Sequence, residues 1–183
     1  MRLLAITAVF GVTLGLLGRA VGHASPWFAL IAMFDFLGII AFGRALFVVR
    51  IPRVLYEVSG WEARGTAYRA LGVPAFGQLL RRSPLRWLNP TVYLHRSPTD
   101  AAEVLKQIEG SEAAHWWAAV LVMPYVFYVA VQGWWDVVGW FVLIQILVNL
   151  YPILHLRKAR IRLRRMIGDE GRRRAPEKAL PVG

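Results

Sequence analysis

Glu112 and His115 are three residues apart, so on a helix their side chains share one face. A carboxylate beside an imidazole suits general-base chemistry, because it orients the ring and stabilises its protonated form. A plainer reading is also open. A glutamate in the first turn of a helix is favoured by the helix dipole, and His115 can anchor at the headgroups beside Trp116 and Trp117. Further on, Asn149, Arg157 and Arg160 project within roughly 80° of one another at about 100° per helical residue. Asn149 reads as a polar contact inside an apolar helix. The arginines read either as a cradle for an anionic group, such as the phosphate of an acyl carrier, or as a stop-transfer run on anionic lipid. Pro152 lacks an N–H and frees the carbonyl of Val148, so a kink is expected there.

Other chemistries find little support. His95 and Asp100 match an H-x-x-x-x-D acyltransferase pattern, but no companion motif follows, and Asp100 already suits a helix start after Ser97 and Pro98. There is no G-x-S-x-G, Walker loop or H-E-x-x-H, and four histidines are too few for a diiron centre. The absence of cysteine removes disulfides, thiolate metal sites and a thiol nucleophile. No metal and no resident cofactor are expected.

The elements that must position these residues are membrane helices. The chain has 183 residues, 57% of them hydrophobic, gathered in long runs rather than periodic stripes. Leu3 to Val21 and Trp27 to Val49 read as spans one and two, and His115 to Val131 and Trp134 to Leu156 as spans three and four, the last two turning at Gln132 and Gly133. Span one carries Gly11/Gly15 and Gly18/Gly22 at the spacing that lets membrane helices approach closely. It also resembles a cleavable signal, although a second span follows directly, which favours an uncleaved helix. Span two holds Asp35 and Arg44. An ionisable residue at membrane depth is a functional candidate, while Asp35 can equally bind a neighbouring helix and Arg44 can snorkel to the interface.

Four segments result: residues 1–49 with spans one and two, 50–110 as a cytoplasmic, interfacial segment, 111–163 with spans three and four, and 164–183 as a basic, disordered tail. The 50–110 segment should hold a short amphipathic helix at Trp61–Leu71, stopped by Gly72 and Pro74. A second should run from Ser97 to about Glu109, with Val104, Leu105 and Ile108 on its apolar side. The net charge of +11 comes from regions flanking the spans. Nine Lys/Arg lie between Arg50 and Gly110 and ten from Arg157 onward, whereas the opposite loops carry only Arg19. The fold expected is all-α and integral to the cell membrane, with four transmembrane helices and both termini cytoplasmic. Such spans argue against a nucleic-acid partner.

Three stretches are similar to the glycosyl-diaponeurosporenoate acyltransferase family of staphyloxanthin-type carotenoid synthesis. Glu62, Tyr68, Leu71-Gly72-Val73 and Phe76 match E…Y-x-x-L-G-[IV]-x-x-[FW]. Glu112-Ala113-Ala114-His115-Trp116 matches A-E-x-x-H-W in part. Asn149-Leu150-Tyr151-Pro152-Ile153, followed by Arg157, Arg160 and Arg162-Leu163, resembles N-x-Y-P-I-x-x-Q-R-Y-N-R-x-R-L. The chain departs where the family has Gln (Leu156), Tyr-Asn (Lys158-Ala159) and Lys (Gly77). The resemblance implies esterification of a sugar hydroxyl on a glycosylated carotenoid by a fatty acyl donor, with membrane lipid around the acceptor.

The activity expected is therefore O-acyl transfer from acyl-CoA, as co-substrate, to a lipid-embedded glycosyl acceptor. His115 would act as the base with Glu112 holding the ring. Arg157 and Arg160 would bind donor phosphates or the oxyanion, and Asn149 and Asp35 the sugar. Glu62 and Tyr68 join the substrate-binding set through the resemblance. Two rivals stand beside this: a non-catalytic membrane scaffold, and a small transporter, which Asp35 permits but no inverted repeat supports.

Overall fold

The computed structural model describes residues 2–43, 51, 56–58, 60–88 and 101–174, and among these every regular element is helical. Helix α1 (Arg2–Val21) turns through Gly22, in the left-handed region at φ 83°, into α2 (Pro26–Gly43). Three short helices follow: α3 (Gly60–Arg64), α4 (Thr66–Ala70) and α5 (Val73–Arg82), then a 3₁₀ turn at Pro84–Leu88. The long α6 (Ala101–Val131) reverses at Gly133, φ 74°. The last helix is continuous but not uniform. It consists of α7 (Trp135–Gln145), a π-helical turn (Ile146–Leu150) and α8 (Tyr151–Arg174).

The chain forms two compact units, Met1–Tyr56 with Gly110–Leu154, and Glu57–Glu109 with His155–Gly183. The core of the first unit joins Phe28, Ala29, Ala32 and Met33 of α2 to Val122, Val126 and Val129 of α6 and to Val137, Phe141 and Ile144 of α7. The Tyr125 ring lies 5.5 Å from that of Phe28 and 5.2 Å from that of Phe141, and its hydroxyl donates to the His23 carbonyl at 3.0 Å. The second unit packs Ile108 of α6 against Leu156 and Leu163 of α8, flanked by Val104, Leu105, Ala159 and Ile167. That is the apolar side expected for residues 104–108.

Two helical stretches are long and apolar enough to cross a membrane, Ala101–Val131 and Trp135–Gly168; shorter apolar helices cover Gly11–Val21 and Pro26–Ile40. Only 22% of each long apolar window is buried by the rest of the chain. A core helix of a soluble domain would be mostly covered. Here Leu121, Met123, Phe127, Val142, Leu143 and Leu147 point outward, a surface suited to lipid.

The structure departs from the sequence expectations in several places. The surface helix ending near Glu109 and the span beginning at His115 are one helix, so Glu112 lies in its interior and not in a first turn. Gly110 costs only about 1 kcal/mol in a helix, too little to break one flanked by good helix formers. The same reasoning covers Gly168 to Arg174, which continue α8 instead of forming a disordered tail. The helix expected over Trp61–Leu71 is split by Gly65 at φ 72°, and Pro74 sits in the first turn of α5, where its missing N–H is harmless. Gly11 and Gly15 face open space, with nothing within 4 Å of where a side chain would start; of the four glycines only Gly18 is closely packed, against His23. Arg44, the end of span two at Val49, His95, Asp100, the Ser97–Pro98 cap and the tail beyond Arg174 lie outside the described residues.

Candidate functional site

In the first unit, α6 and the π turn bring His115 and Asn149 together. His115 Nδ1 lies 3.3 Å from Asn149 Oδ1. The backbone carbonyl of Val148 also faces the imidazole within hydrogen-bonding reach. That carbonyl is the one Pro152 leaves without its α-helical N–H partner, so the proline, the π turn and the histidine contact belong to one local arrangement. Asn149 is 1% exposed, and its Nδ2 donates to Gln145 Oε1 at 2.5 Å and to Met33 Sδ at 3.0 Å. Gln145 Nε2 donates in turn to the Ala119 carbonyl at 2.9 Å. Glu112 is buried one turn before His115, but the side chain facing Nδ1 is Asn149.

Beside this cluster lies a largely apolar cavity of about 380 Å³, lined by residues including Trp116, Met123, Val142, Gln145, Asn149 and Ile153. It suits a hydrocarbon chain, with the two amides as its polar points. Asp35 does not join the cluster. Met33 is the α2 residue that reaches Asn149, and a residue two further on leaves the helix on a different face. Asp35 is half-buried, and its Oδ2 has no hydrogen-bond partner among the described residues.

The second unit holds a separate polar cluster. Arg157 grips Glu62 with two bonds, Nε to Oε1 at 2.5 Å and Nη2 to Oε2 at 3.0 Å, and Nη2 also donates to the Glu57 carbonyl at 2.7 Å. The Tyr68 hydroxyl donates to Glu62 Oε1 at 3.2 Å. Burial, reinforced by the Glu62 charge and hydrogen bond and opposed by Arg157, pushes the phenol up to about 12. Arg160 is completely buried. A half-exposed pair, Arg164 Nη2 to Glu109 Oε1 at 2.7 Å, adds little.

Gln145, Met33 and the π turn went unforeseen in the sequence. A signal for the first existed: Gln145 and Asn149 are an i, i+4 amide pair in an otherwise apolar helix, a spacing at which such side chains bond. The π turn also departs locally from the uniform 100° wheel on which the sequence reading rests.

Against known families, residues 52–169 match glycosyl-4,4'-diaponeurosporenoate acyltransferase. The chain belongs to this family. The matched region contains Glu62, Tyr68, Glu112, His115, Asn149, Arg157 and Arg160, and the family's description makes acyl transfer the activity it carries. Comparison with curated proteins and with solved structures gave no match. Two of the departures from the family's pattern fall in the apolar core of the second unit, where Leu156 is buried and Ala159 packs beside it. The third leaves room for a ring: a Cβ on Gly77 would stand 2.5 Å from His155 Cε1. All three departures lie in the second unit, and the Glu62–Tyr68–Arg157 cluster and the His115–Asn149 contact are both present.

Proposed function

We propose that the protein is an integral-membrane acyltransferase that esterifies a sugar hydroxyl of a glycosylated carotenoid, or a similar glycolipid, with a fatty acyl group from acyl-CoA. The observation that carries this reading is the His115–Asn149 contact, an imidazole held by a buried amide beside an apolar cavity in a chain of this family. His115 takes the proton of the attacking hydroxyl as its oxygen adds to the thioester carbonyl. Collapse of the tetrahedral intermediate breaks the C–S bond, and the proton returns to the leaving thiolate. Glu112, buried at i−3, stabilises the protonated ring. The apolar cavity receives the hydrocarbon.

The arrangement favours positioning roles for Glu62, Tyr68 and Arg157, since the Arg157 charge is matched by Glu62 and donor phosphates would have to displace that partner. Arg160 is buried in the same unit. The reading includes four spans with both termini cytoplasmic, supported by the lysine and arginine distribution.

The test is His115→Ala in cells that make the glycosylated acceptor. Loss of general-base catalysis should lower transfer by about 10² to 10⁴-fold, with insertion and expression unchanged. Undiminished product in that variant refutes the assignment.

A further inference from the structure

The amide side chains of the first unit form a one-way chain of donors. The Ala119 carbonyl can only accept, so the end of Gln145 facing it at 2.9 Å is the NH₂. Gln145 therefore presents Oε1 to Asn149, and an oxygen 2.5 Å away can be met only by the Asn149 NH₂. The Met33 thioether at 3.0 Å from the same nitrogen is likewise only an acceptor. Turning the Asn149 amide over would set its oxygen against an oxygen and a sulfur with no hydrogen between them. Its Oδ1 is thus fixed toward His115 Nδ1 at 3.3 Å, and that contact requires the proton on Nδ1. A neutral imidazole carries one N–H, so Nε2 keeps its lone pair.

From this chain we propose that Gln145 is a positioning residue: anchored on the Ala119 carbonyl, it orients the Asn149 amide and through it selects the tautomer that leaves His115 Nε2 unprotonated. The inference rests on the reading of His115 as the base, because only then does the free lone pair take part in the reaction. Gln145 touches neither reacting group. Its effect is on the fraction of enzyme whose ring is ready, which moves kcat. The Val148 carbonyl is a further acceptor at the ring, and the Nδ1 contact is the one whose polarity the amide chain fixes.

The test uses the full chain, labelled with ¹⁵N-histidine, in lipid bilayers at neutral pH. The His115 signals are identified by their loss in His115→Gln. Nδ1 should be protonated and Nε2 bare in the native chain. Gln145→Leu should reduce that tautomer's share and lower kcat by up to about 10²-fold, the scale of a small misplacement of a catalytic group. Gln145→Glu keeps an acceptor oxygen for Asn149 and, protonated, a donor for Ala119, so it should retain the native tautomer. An Nε2–H or doubly protonated ring in the native chain overturns the proposal, and so does an undisturbed tautomer in Gln145→Leu. A native chain that shows the expected tautomer yet transfers no acyl group sinks the proposed function and leaves the positioning by Gln145 standing.

Discussion

The Glu62–Arg157 pair gives the sharpest stability prediction, because its geometry separates a buried ion pair from a surface one. The side chains are 7% and 13% exposed, so solvent screens the pair little. Glu62→Ala removes two bonds from Arg157, leaving it only the Glu57 carbonyl among these contacts, and strips the acceptor from the Tyr68 hydroxyl, which is 1% exposed. Removing one partner of a buried pair costs about 3–5 kcal/mol, and stranding a buried hydroxyl about 1–3 kcal/mol. Glu62→Ala should therefore cost about 4 kcal/mol or more. For a chain of this size each kcal/mol lowers Tm by roughly 2–4 °C, so the midpoint should fall by roughly 10 °C.

Arg157→Ala leaves the carboxylate with Tyr68 still donating to it, so its cost should be smaller, about 3 kcal/mol. The double variant should lose clearly less than the two single losses together, with a coupling of about 2 kcal/mol. The assay is thermal unfolding in detergent followed by tryptophan fluorescence, for which the eight Trp provide the signal. Additive single losses of less than about 1 kcal/mol each are the behaviour of an exposed pair and refute the reasoning. At permissive temperature, Arg157→Ala should leave KM for acyl-CoA unchanged. A raised KM there would restore Arg157 as a phosphate contact.

Four further outcomes follow from the same geometry. Tyr68 is held up to about 12 in the folded chain against about 10 unfolded, so its contribution is intact below pH 10 and lost as pH rises toward 12; Tyr68→Phe should flatten that alkaline loss of Tm. Leu156→Gln, which restores the family's residue, places an amide among Ile108 and Leu163 and should destabilise by about 1–3 kcal/mol in the same unfolding assay. Gly77→Ala should lower Tm by driving His155 from its place, at a cost of about 1 kcal/mol, and His155→Ala should relieve it. Because the chain has no cysteine, single cysteines can report topology: one at Gly133 should react with an impermeant reagent on intact cells, and one at Glu57 only after permeabilisation.

What the sequence disclosed, and what it did not, divides along physical lines. Apolar runs and the turn at Gly133 are properties of single segments, and two of the expected runs are helices long and apolar enough to cross a membrane. His115 stood out by its spacing from Glu112 and by the family resemblance, and Asn149 as a polar residue in an apolar helix, where a buried polar group demands a partner; the structure puts the two in contact. Which partner such a group takes depends on helix phase. The 3.6-residue wheel assumes an unbroken α-helix, and the π turn at Ile146–Leu150, which contains Asn149, breaks that assumption. Likewise, Glu62 and Arg157 lie far apart in sequence, and no local pattern predicts that two charges chosen as ligands hold each other. The continuous α6 escaped for the opposite reason. Gly110 looks like punctuation, but one glycine is a small penalty against a whole helix.

The π turn also explains how a helix in an apolar environment can present polar chemistry at all. A regular membrane helix satisfies every backbone group internally and has no carbonyl to offer. Pro152 removes one donor and so frees the Val148 carbonyl; the widened turn then carries the next residue, Asn149, inward, where it is 1% exposed. The cost of that irregularity is met by side chains from two other helices, His115 from α6 and Met33 from α2. Replacing Pro152 with alanine restores the missing N–H and should let α7 and α8 close into one regular helix. That change should stabilise the isolated helix by up to about 3 kcal/mol, yet withdraw Val148 from the ring and loosen Asn149. Pro152→Ala is therefore expected to raise Tm while lowering acyl transfer, with the two measured on the same preparation. If instead the variant melts lower and transfers normally, the proline stabilises the helix packing and the π turn is not its consequence.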